Sequence, residues 1–423
     1  MRKYIFTLIL GAISLPVLSQ DEAMEADDLQ LNTITTAVPF LQITPDSRSG
    51  ALGDAGTALS PSSSSFFWNT SMLAFTEEPN ELSISYSPWL QNLASDIHLS
   101  HVSGYTRLNR RNVVGGSLRF FSLGEIIFTD NTGMETIRHT PTEFELLGGY
   151  SYQLNERNSL GVNGKFIFSN LTAGLMVAGA QTSPGLAGAA DVSYTYINQE
   201  MEWAEAGGTF AFGATLNNIG NKISYTELDD RDFLPTNMRL GTAMTFKFDK
   251  FNKLTWILDA SKLLVPTPPV YRFDDPEQIG AGMNPDVGVV AGMLQSFYDA
   301  PGALVRDQNN DPVMGPDGMY EVQSGSVLRE ELSEIMIATG LEYWYDDLFA
   351  ARAGYFYENI NKGNRQHFTF GIGLKYNIFG IDFSYLTSIQ RNNPLQNTIR
   401  FTMRFFLGSP SVRESRGGSD VQP

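Results

Sequence analysis

Histidine and carboxylate side chains are the groups most able to bind a metal or to catalyse proton transfer, and their spacing here predicts neither activity. The chain has four histidines and no cysteine. His98 and His101 are close in sequence, but on a strand they would face opposite sides and could not chelate one ion. The acidic stretch that begins at Asp307 resembles a calcium loop, yet Pro312 and Gly318 stand where an EF-hand needs glycine and glutamate.

The chain also lacks the short motifs that mark common catalytic sites. No nucleophile elbow, phosphate-binding loop or zinc-protease motif occurs in the sequence. We therefore expect no catalytic residue, no cofactor site and no metal site, and we predict that the protein is not an enzyme. A looser cation site in the Asp307 loop and serine chemistry beside a histidine remain the alternatives.

Charge and cysteine usage exclude further classes. The formal net charge is −17 at pH 7, so binding to nucleic acid through neutralisation of phosphates is not expected. The absence of cysteine excludes disulfides, thiolate metal sites and a lipid anchor on cysteine. A secreted protein of this size then depends on a large closed core or on a membrane for its stability.

The first residues have the pattern of a secretory signal. Arg2 and Lys3 precede an apolar run over 4–18, and Asp21 and Glu22 follow it. Residues 1–19 are therefore predicted to be a signal peptide. No later run of about 18 apolar residues occurs, so no membrane-spanning helix is expected in the mature chain.

From residue 82 onward, apolar residues recur with a period of two. Leu82, Ile84 and Tyr86 alternate with serines, and Ile399 and Phe401 alternate with Arg400 and Thr402 near the other end. This period predicts strands with one apolar and one polar or small face. About fourteen strands are expected, centred near residues 85, 101, 117, 148, 164, 192, 212, 243, 258, 340, 354, 371, 383 and 402.

Loop lengths distinguish a membrane barrel from a soluble sandwich. Tight turns at 106–112, 153–159, 249–253, 345–349 and 376–379 alternate with long connections at 122–141, 169–185, 217–237, 263–333 and 386–396. Short turns at one end and long loops at the other are typical of outer-membrane barrels. The predicted fold is therefore all-β, a transmembrane antiparallel β-barrel in the bacterial outer membrane. Its long loops are expected at the cell surface, and the even strand count predicts that both termini are periplasmic.

These features predict a division of the chain. Residues 20–80 are rich in turn-forming residues and form an N-terminal extension and hatch, a plug in the barrel mouth. The barrel extends over 81–407, and 408–423 is a polar periplasmic tail. Residues 263–333 form a long extracellular loop with short helices.

The long loop contains two apolar stripes at helical spacing. Asn284-Pro285-Asp286 is typical of a helix start, and Val327, Leu328 and Leu332 indicate a second short helix. The first stripe either packs over the barrel mouth or contacts a partner protein. Its candidate partner-contact residues are Val290, Met293, Leu294, Phe297 and Tyr298.

The segment from Phe40 to Gly56 reads FLQITPDSRSGALGDAG and resembles the N-terminal signature of the PorV family. The C-terminal stretches Tyr355–Asn359, Gly363–Arg365, Asp382–Leu386 and Asn393–Thr398 are similar to that family as well. The hatch signature has two open interpretations, a structural role inside the barrel and direct contact with a partner. Its residues are Pro45, Asp46, Arg48, Gly50, Gly53, Asp54, Gly56, Trp68 and Asn69.

The resemblance implies a FadL-like barrel of fourteen strands with an N-terminal hatch. It implies a component of the type IX secretion system that binds the C-terminal signal domain of cargo leaving the giant outer-membrane translocon barrel. The cargo then passes to a surface attachment complex that contains a sortase-like protease, close to membrane lipid and lipopolysaccharide. Related barrels often have Trp-Asn-Pro-Ala where this chain has Trp68-Asn69-Thr70-Ser71, and the missing proline puts the local hatch conformation in question.

Two other functions compete with the secretion role. A FadL-like channel for hydrophobic small molecules would need an apolar lumen, whereas the predicted inward faces carry Arg119, Lys165, Lys375, Arg400 and Arg404. A lipid-modifying outer-membrane enzyme would need a catalytic constellation, and the sequence provides none.

Overall fold

The computed structural model describes residues 31–408 apart from 130–131, 173, 175, 178–179, 227–230 and 391–392. The predicted signal peptide and nearly all of the predicted polar tail lie outside these residues. Fourteen antiparallel strands form one closed barrel. In chain order they are β1 Asn80–Pro88, β2 Ile97–Arg107, β3 Asn112–Leu123, β4 Thr142–Gln153, β5 Asn158–Asn170, β6 Gly185–Met201, β7 Gly208–Gly220, β8 Asn237–Lys247, β9 Asn252–Leu263, β10 Met336–Tyr345, β11 Phe349–Tyr357, β12 Gln366–Tyr376, β13 Phe379–Ser388 and β14 Thr398–Phe406.

The closed barrel with fourteen strands confirms the predicted fold class. Each strand pairs with its sequence neighbour, and β1 closes the ring on β14 in a register that places Ser83 opposite Arg404. Every predicted strand centre falls inside one of these strands. Closure matters because it leaves no strand edge with unpaired backbone groups.

The two faces of the wall have the sense expected for a lipid environment. In β1, Ser83 and Ser85 are buried in the lumen, whereas Leu82, Ile84 and Tyr86 are exposed on the outside. The same inversion occurs around the ring, with arginine, lysine and glutamate inside and large apolar residues outside. A soluble barrel would bury its apolar face, so this wall is built to contact lipid.

Short turns and long connections lie at opposite ends of the barrel. Three short turns share one hydrogen-bonding pattern, in which Asn109, Asn155 or Asp249 accepts from the backbone two and three residues later. Such side-chain bonds fix tight turns without help from the rest of the chain. The opposite end carries short hairpins at Ile126–Thr129 with Glu135–His139, Met176–Val177 with Ala180–Gln181, and Val270–Tyr271 with Ile279–Ala281.

Residues preceding β1 run through the barrel lumen. They form helices α1 Ser47–Gly50 and α2 Ser65–Trp68, and 3-10 turns at Pro39–Gln42 and Thr70–Phe75. We call residues 32–79 the hatch. Most of its side chains from Ala37 to Ala74 are buried.

The hatch starts and ends at opposite ends of the barrel. At the long-loop end, the Asn32 amide donates to Asn361 O at 3.0 Å and its side chain donates to Glu330 at 3.0 Å. At the short-turn end, Leu407 donates to Asn80 O at 3.0 Å. The even strand count places the strand ends together, but it does not place the segment before the first strand. Residues 32 and 407 therefore lie at opposite ends of the barrel, whereas the two termini lie outside the described residues and their predicted periplasmic location stays a prediction.

The insertion between β9 and β10 forms a cap at the long-loop end. It contains helix α3 Val289–Gln295 and helix α4 Ser326–Ser333. The first helix begins after Gly288, so the predicted start at Asn284-Pro285-Asp286 is wrong by a few residues. The Asn284 side chain accepts from the Asp286 amide and holds a turn there instead of capping the helix. None of the described helices is long and apolar enough to cross a membrane.

Candidate functional site

The hatch signature residues lie inside the lumen, where they contact the barrel wall and one another. Asp46 caps α1, since its Oδ2 accepts from the Ser49 amide at 2.9 Å. Its Oδ1 accepts from Trp68 Nε1 at 3.1 Å. The Asp46 carboxylate therefore fixes the start of α1 and connects it to α2. The preceding residue, Pro45, is buried.

Arg48 links the hatch to the wall through a chain of buried charges. Its guanidinium binds Glu342 in a bidentate manner, at 2.8 Å and 2.7 Å. Glu342 also accepts from Arg352 at 2.7 Å. Arg352 donates to Asp382 at 2.7 Å, and Asp382 lies 3.0 Å from Arg404. The charges alternate in sign along this series of side chains, so each buried charged group has a neighbour of opposite charge.

Asp54 makes a second ionic contact with the wall. Its carboxylate lies 3.3 Å from Arg400 Nη1 and 3.4 Å from His367 Nε2. Burial alone would raise the pKa of Asp54, but Arg400 and His367 outweigh it and lower the pKa to about 2. Asp54 is therefore ionised at neutral pH and attracts Arg400 strongly.

The signature glycines allow the hatch backbone to approach its neighbours. Gly53 has φ +71° and lies against the Tyr355 backbone, where a Cβ would come within 2.4 Å of the carbonyl oxygen. A Cβ on Gly56 would meet the Trp68 ring at 2.4 Å. The Gly56 and Thr57 amides both donate to Asp259 on β9, each at 2.8 Å. Gly50 is less constrained, because its close neighbour is the flexible end of Arg400.

The segment Trp68-Asn69-Thr70-Ser71 is well ordered by polar contacts despite its missing proline. The Asn69 side chain accepts from the Ser71 amide and caps the following 3-10 turn. Thr70 takes the first position of that turn, and its hydroxyl donates to Asn163 on the wall at 2.7 Å. The threonine therefore replaces the conformational restriction of proline with a hydrogen bond to the barrel.

Arg119 and Arg239 on the wall hold the hatch from the other side, which sequence analysis did not foresee. Arg119 faces the Leu41 and Ile43 carbonyls and pairs with Glu145 at 2.8 Å. Arg239 lies over the Trp68 ring at 4.9 Å, a favourable cation–π distance. Alternation did indicate that Arg119 points inward, but nothing local indicates which hatch atoms it meets.

Inward-facing glycines make room for the hatch around most of the ring. At eight of them, a Cβ would lie less than 3.0 Å from a hatch atom. They occur on β3, β4, β5, β7, β8, β10, β11 and β12, and are Gly115, Gly149, Gly161, Gly213, Gly241, Gly340, Gly354 and Gly371. The hatch and the wall are thus complementary in shape on eight strands, and the hatch fills this level of the lumen.

The cap is attached to the barrel mouth by a second buried cluster. Lys262 at the end of β9 binds Glu331 at 3.0 Å and also pairs with Glu334. Lys362 binds Glu330 at 2.6 Å and Glu334 at 2.9 Å. These acids lie on or directly after α4, so the cap is fixed to the mouth through charge.

The candidate partner-contact residues mostly face outward. Val290, Leu294 and Tyr298 are 68%, 63% and 58% exposed, and Phe297 is exposed as well. Met293 is half-buried. The exposure of the other four side chains does not fit packing over the mouth, and their contact with a partner stays a prediction.

The described residues contain no group of three or more His, Asp or Glu side chains that could hold a metal ion. His101 points into the lumen and His98 points outward against the Tyr86 ring, so the pair is split as expected. Sequence analysis missed the contact between His367 and Asp54, because these residues are far apart in the chain.

Comparison with known proteins gives one family match. The model of the family described as type IX secretion system protein PorV matches residues 25–270, more than half of the chain. No curated protein matches this chain.

Several solved structures are similar in architecture at low identity. The Pseudomonas putida toluene transporter TodX has 10% identity and a TM-score of 0.44, over 86% of this chain and 96% of TodX. The Ralstonia pickettii toluene transporter TbuX has 9% identity and a TM-score of 0.44, over 86% and 98% of the two chains. A Pseudomonas aeruginosa FadL homologue has 10% identity and a TM-score of 0.42, over 89% and 99%.

Replacing Arg48 with methionine should destabilise the folded protein by roughly 3–5 kcal/mol, because it leaves half of a buried ion pair. Guanidinium unfolding in lipid vesicles measures this loss. Ion conductance across planar bilayers should also rise as the hatch loosens. Arg138→Met is the matched control, since its ion pair with Glu135 is exposed and should contribute less than about 1 kcal/mol. Equal losses for the two variants would contradict the anchoring role of Arg48.

The cap should be more stable in mildly acidic solution than at neutral pH. Burial raises the pKa of Asp299 to about 6 from its ordinary 3.8, although the Thr267 amide donates to it. The folded cap thus binds an extra proton between these values, and its stability falls as the pH rises through them. Asp299→Asn should remove this part of the pH dependence.

Hydrogen exchange of the Thr267 amide, expressed as a protection factor across this pH range, measures the effect. Asp317→Asn, at an exposed position of the same insertion, is the control and should leave the wild-type slope intact. An unchanged slope in Asp299→Asn would refute the assignment to Asp299.

Proposed function

Because this chain belongs to the PorV family of type IX secretion system proteins and forms an outer-membrane barrel, we propose that it is a carrier of secreted cargo. It binds the C-terminal signal domain of cargo leaving the translocon barrel. It then delivers the cargo to the surface attachment complex with its sortase-like protease. The protein itself performs no covalent chemistry.

The family match carries this proposal, and the filled lumen supports it. The hatch contacts inward glycines on eight strands and is held by buried ion pairs at Arg48 and Asp54. Cargo of protein size cannot pass such a lumen, so the protein must act through its surface. The cap offers the exposed apolar surface that a carrier needs, at Val290, Leu294, Phe297 and Tyr298.

The competing function is a FadL-like channel for hydrophobic small molecules. At the level of the charge chain the lumen is lined by Arg352, Arg400 and Arg404 and is occupied by the hatch. A small apolar molecule would have to displace buried ion pairs, each of which is costly to separate. These contacts favour the carrier over the channel.

The carrier function predicts that the cap is needed for secretion. Replacing Val290, Leu294, Phe297 and Tyr298 together with serine should abolish export of cargo, because the exposed apolar contacts are lost. The amount of cargo on the cell surface is the measurement. Heat-modifiable gel mobility checks that the barrel is folded. The control replaces the outward-facing Ile126 and Ile127 with serine in the hairpin of another long connection. Normal export in the cap variant would refute this role.

We further propose that the long-loop end, with the start of the hatch, faces the cell exterior. Since the chain has no cysteine, single cysteines give background-free labelling. Thr33→Cys and Asp317→Cys should react with a membrane-impermeant maleimide in intact cells. Glu156→Cys, in a short turn, should react only after the outer membrane is permeabilised. All three positions are exposed. Labelling of Glu156→Cys alone in intact cells would reverse the orientation.

A further inference from the structure

The first cap helix, α3, is amphipathic, but its apolar side is exposed and its polar side is buried. In α3, Gly292 and Gln295 are buried, whereas Val290 and Leu294 are more than 60% exposed. Gly292 lies against Phe233 and Pro266. The Gln295 amide donates to Asn284 O at 2.9 Å. The helix is thus fixed to the protein by its small and polar side and presents its apolar side to the exterior.

The second cap helix repeats this arrangement. In α4, Ser326 and Glu331 are buried, whereas Leu328 and Leu332 are 64% and 58% exposed. Glu331 accepts from the Ala300 amide at 2.9 Å and binds Lys262. The contact at Ala300 joins α4 to the chain directly after α3, so the two apolar faces belong to one cap.

This inversion cannot be explained by the folding of the cap itself. A helix that packs on its own protein buries its apolar side. Here six large apolar side chains remain exposed, so part of the burial free energy of each is left unrealised. The polar anchors hold the cap without them, so this free energy is available for a partner. The six are Val290, Leu294, Phe297, Tyr298, Leu328 and Leu332.

The cap is also strongly acidic. Residues 263–333 contain eleven Asp and Glu against three Arg and no Lys, a formal charge of −8 in a chain of −17. Two of the arginines, Arg306 and Arg329, are exposed. The exposed acids outnumber them, and are Asp274, Glu277, Asp286, Asp307, Asp311, Asp317 and Glu321.

We infer that the cap binds a protein segment whose apolar side chains are flanked by lysine and arginine, an inference that rests on the proposed function and specifies its partner. The apolar faces of α3 and α4 supply the contact area, and the exposed carboxylates of the same cap select a basic partner and exclude an acidic one. The phosphate groups of lipopolysaccharide carry the same sign as the cap. Lipopolysaccharide is therefore disfavoured as a partner of the cap on the ground of charge.

Photo-crosslinking in living cells identifies what touches the cap. A photoreactive amino acid replaces Leu294, and mass spectrometry identifies the crosslinked molecule and peptide. We expect a peptide with apolar residues and a net positive charge. Crosslinks to lipopolysaccharide or lipid alone, or to a peptide of net negative charge, would overturn the inference.

Charge variants test the electrostatic part. Glu277→Gln, Asp311→Asn and Asp317→Asn together should lower the crosslinking yield about tenfold, since three exposed negative charges of the cap are lost. The yield should also depend less on salt in isolated outer membranes than it does for the wild type. The matched control is Glu156→Gln, Glu202→Gln and Glu205→Gln, an equal charge change at exposed positions of the short turns. It should behave as wild type.

The two proposals fail in different ways. If the charge variant crosslinks and responds to salt as wild type does, the basic partner is ruled out. The carrier function stands in that case as long as the serine variant of the cap still fails to export cargo. If that serine variant exports normally, the carrier role of the cap is ruled out whatever the charge of the crosslinked peptide.

Discussion

The structure depends on one constraint, which is that lipid offers no hydrogen-bonding partner. The wall must pair all its backbone groups within the ring, so β1 closes on β14 with Ser83 opposite Arg404. Apolar side chains must face outward, and the alternation of a strand then forces polar side chains inward. A polar lumen has to satisfy its own charges. Arg119 meets hatch carbonyls, and Glu342 receives Arg48 from the hatch. The wall therefore needs the hatch to pair its inward-facing charges, and the hatch in turn is held in place by the wall.

This mutual dependence explains the composition of both partners. The hatch brings backbone groups and a few charges, while the wall brings glycines where the hatch comes close. Gly354 and Gly340 both lie against Leu52, and a side chain at either would collide with the hatch. Removing one buried charge would leave its partner unpaired in a place that water reaches poorly, which costs more than the pair itself contributes. The lumen thus behaves as a protein core made of ion pairs and close backbone contacts.

Sequence reasoning was strongest where a single strand decides the outcome. The alternation of apolar and polar residues around Leu82 or Phe370 indicates which residues share a face of the strand. The spacing of the turns indicates where each strand ends. Together these patterns predicted all fourteen strands. It failed where distant segments meet. Arg48 and Glu342 are 294 positions apart, and no local pattern connects them. The start of α3 was misplaced because Asn284 and Pro285 also suit a turn. The number of strands did not predict the path of the hatch, because it determines only where the first and last strands begin and end.

The cap shows why a hydrophobic stripe alone does not reveal its use. Val290 and Leu294 would give the same spacing whether they packed on the barrel or faced outward. What separates the two cases is the opposite side of each helix, where the buried side chains of Gln295 and Glu331 already have hydrogen-bond partners. A helix fixed through its polar side gains nothing from its apolar side until another molecule covers it. On the proposed function, stability and recognition belong to opposite faces of α3 and α4, so changes on the outer face alter binding while the anchors at Lys262 and Lys362 keep the cap in place.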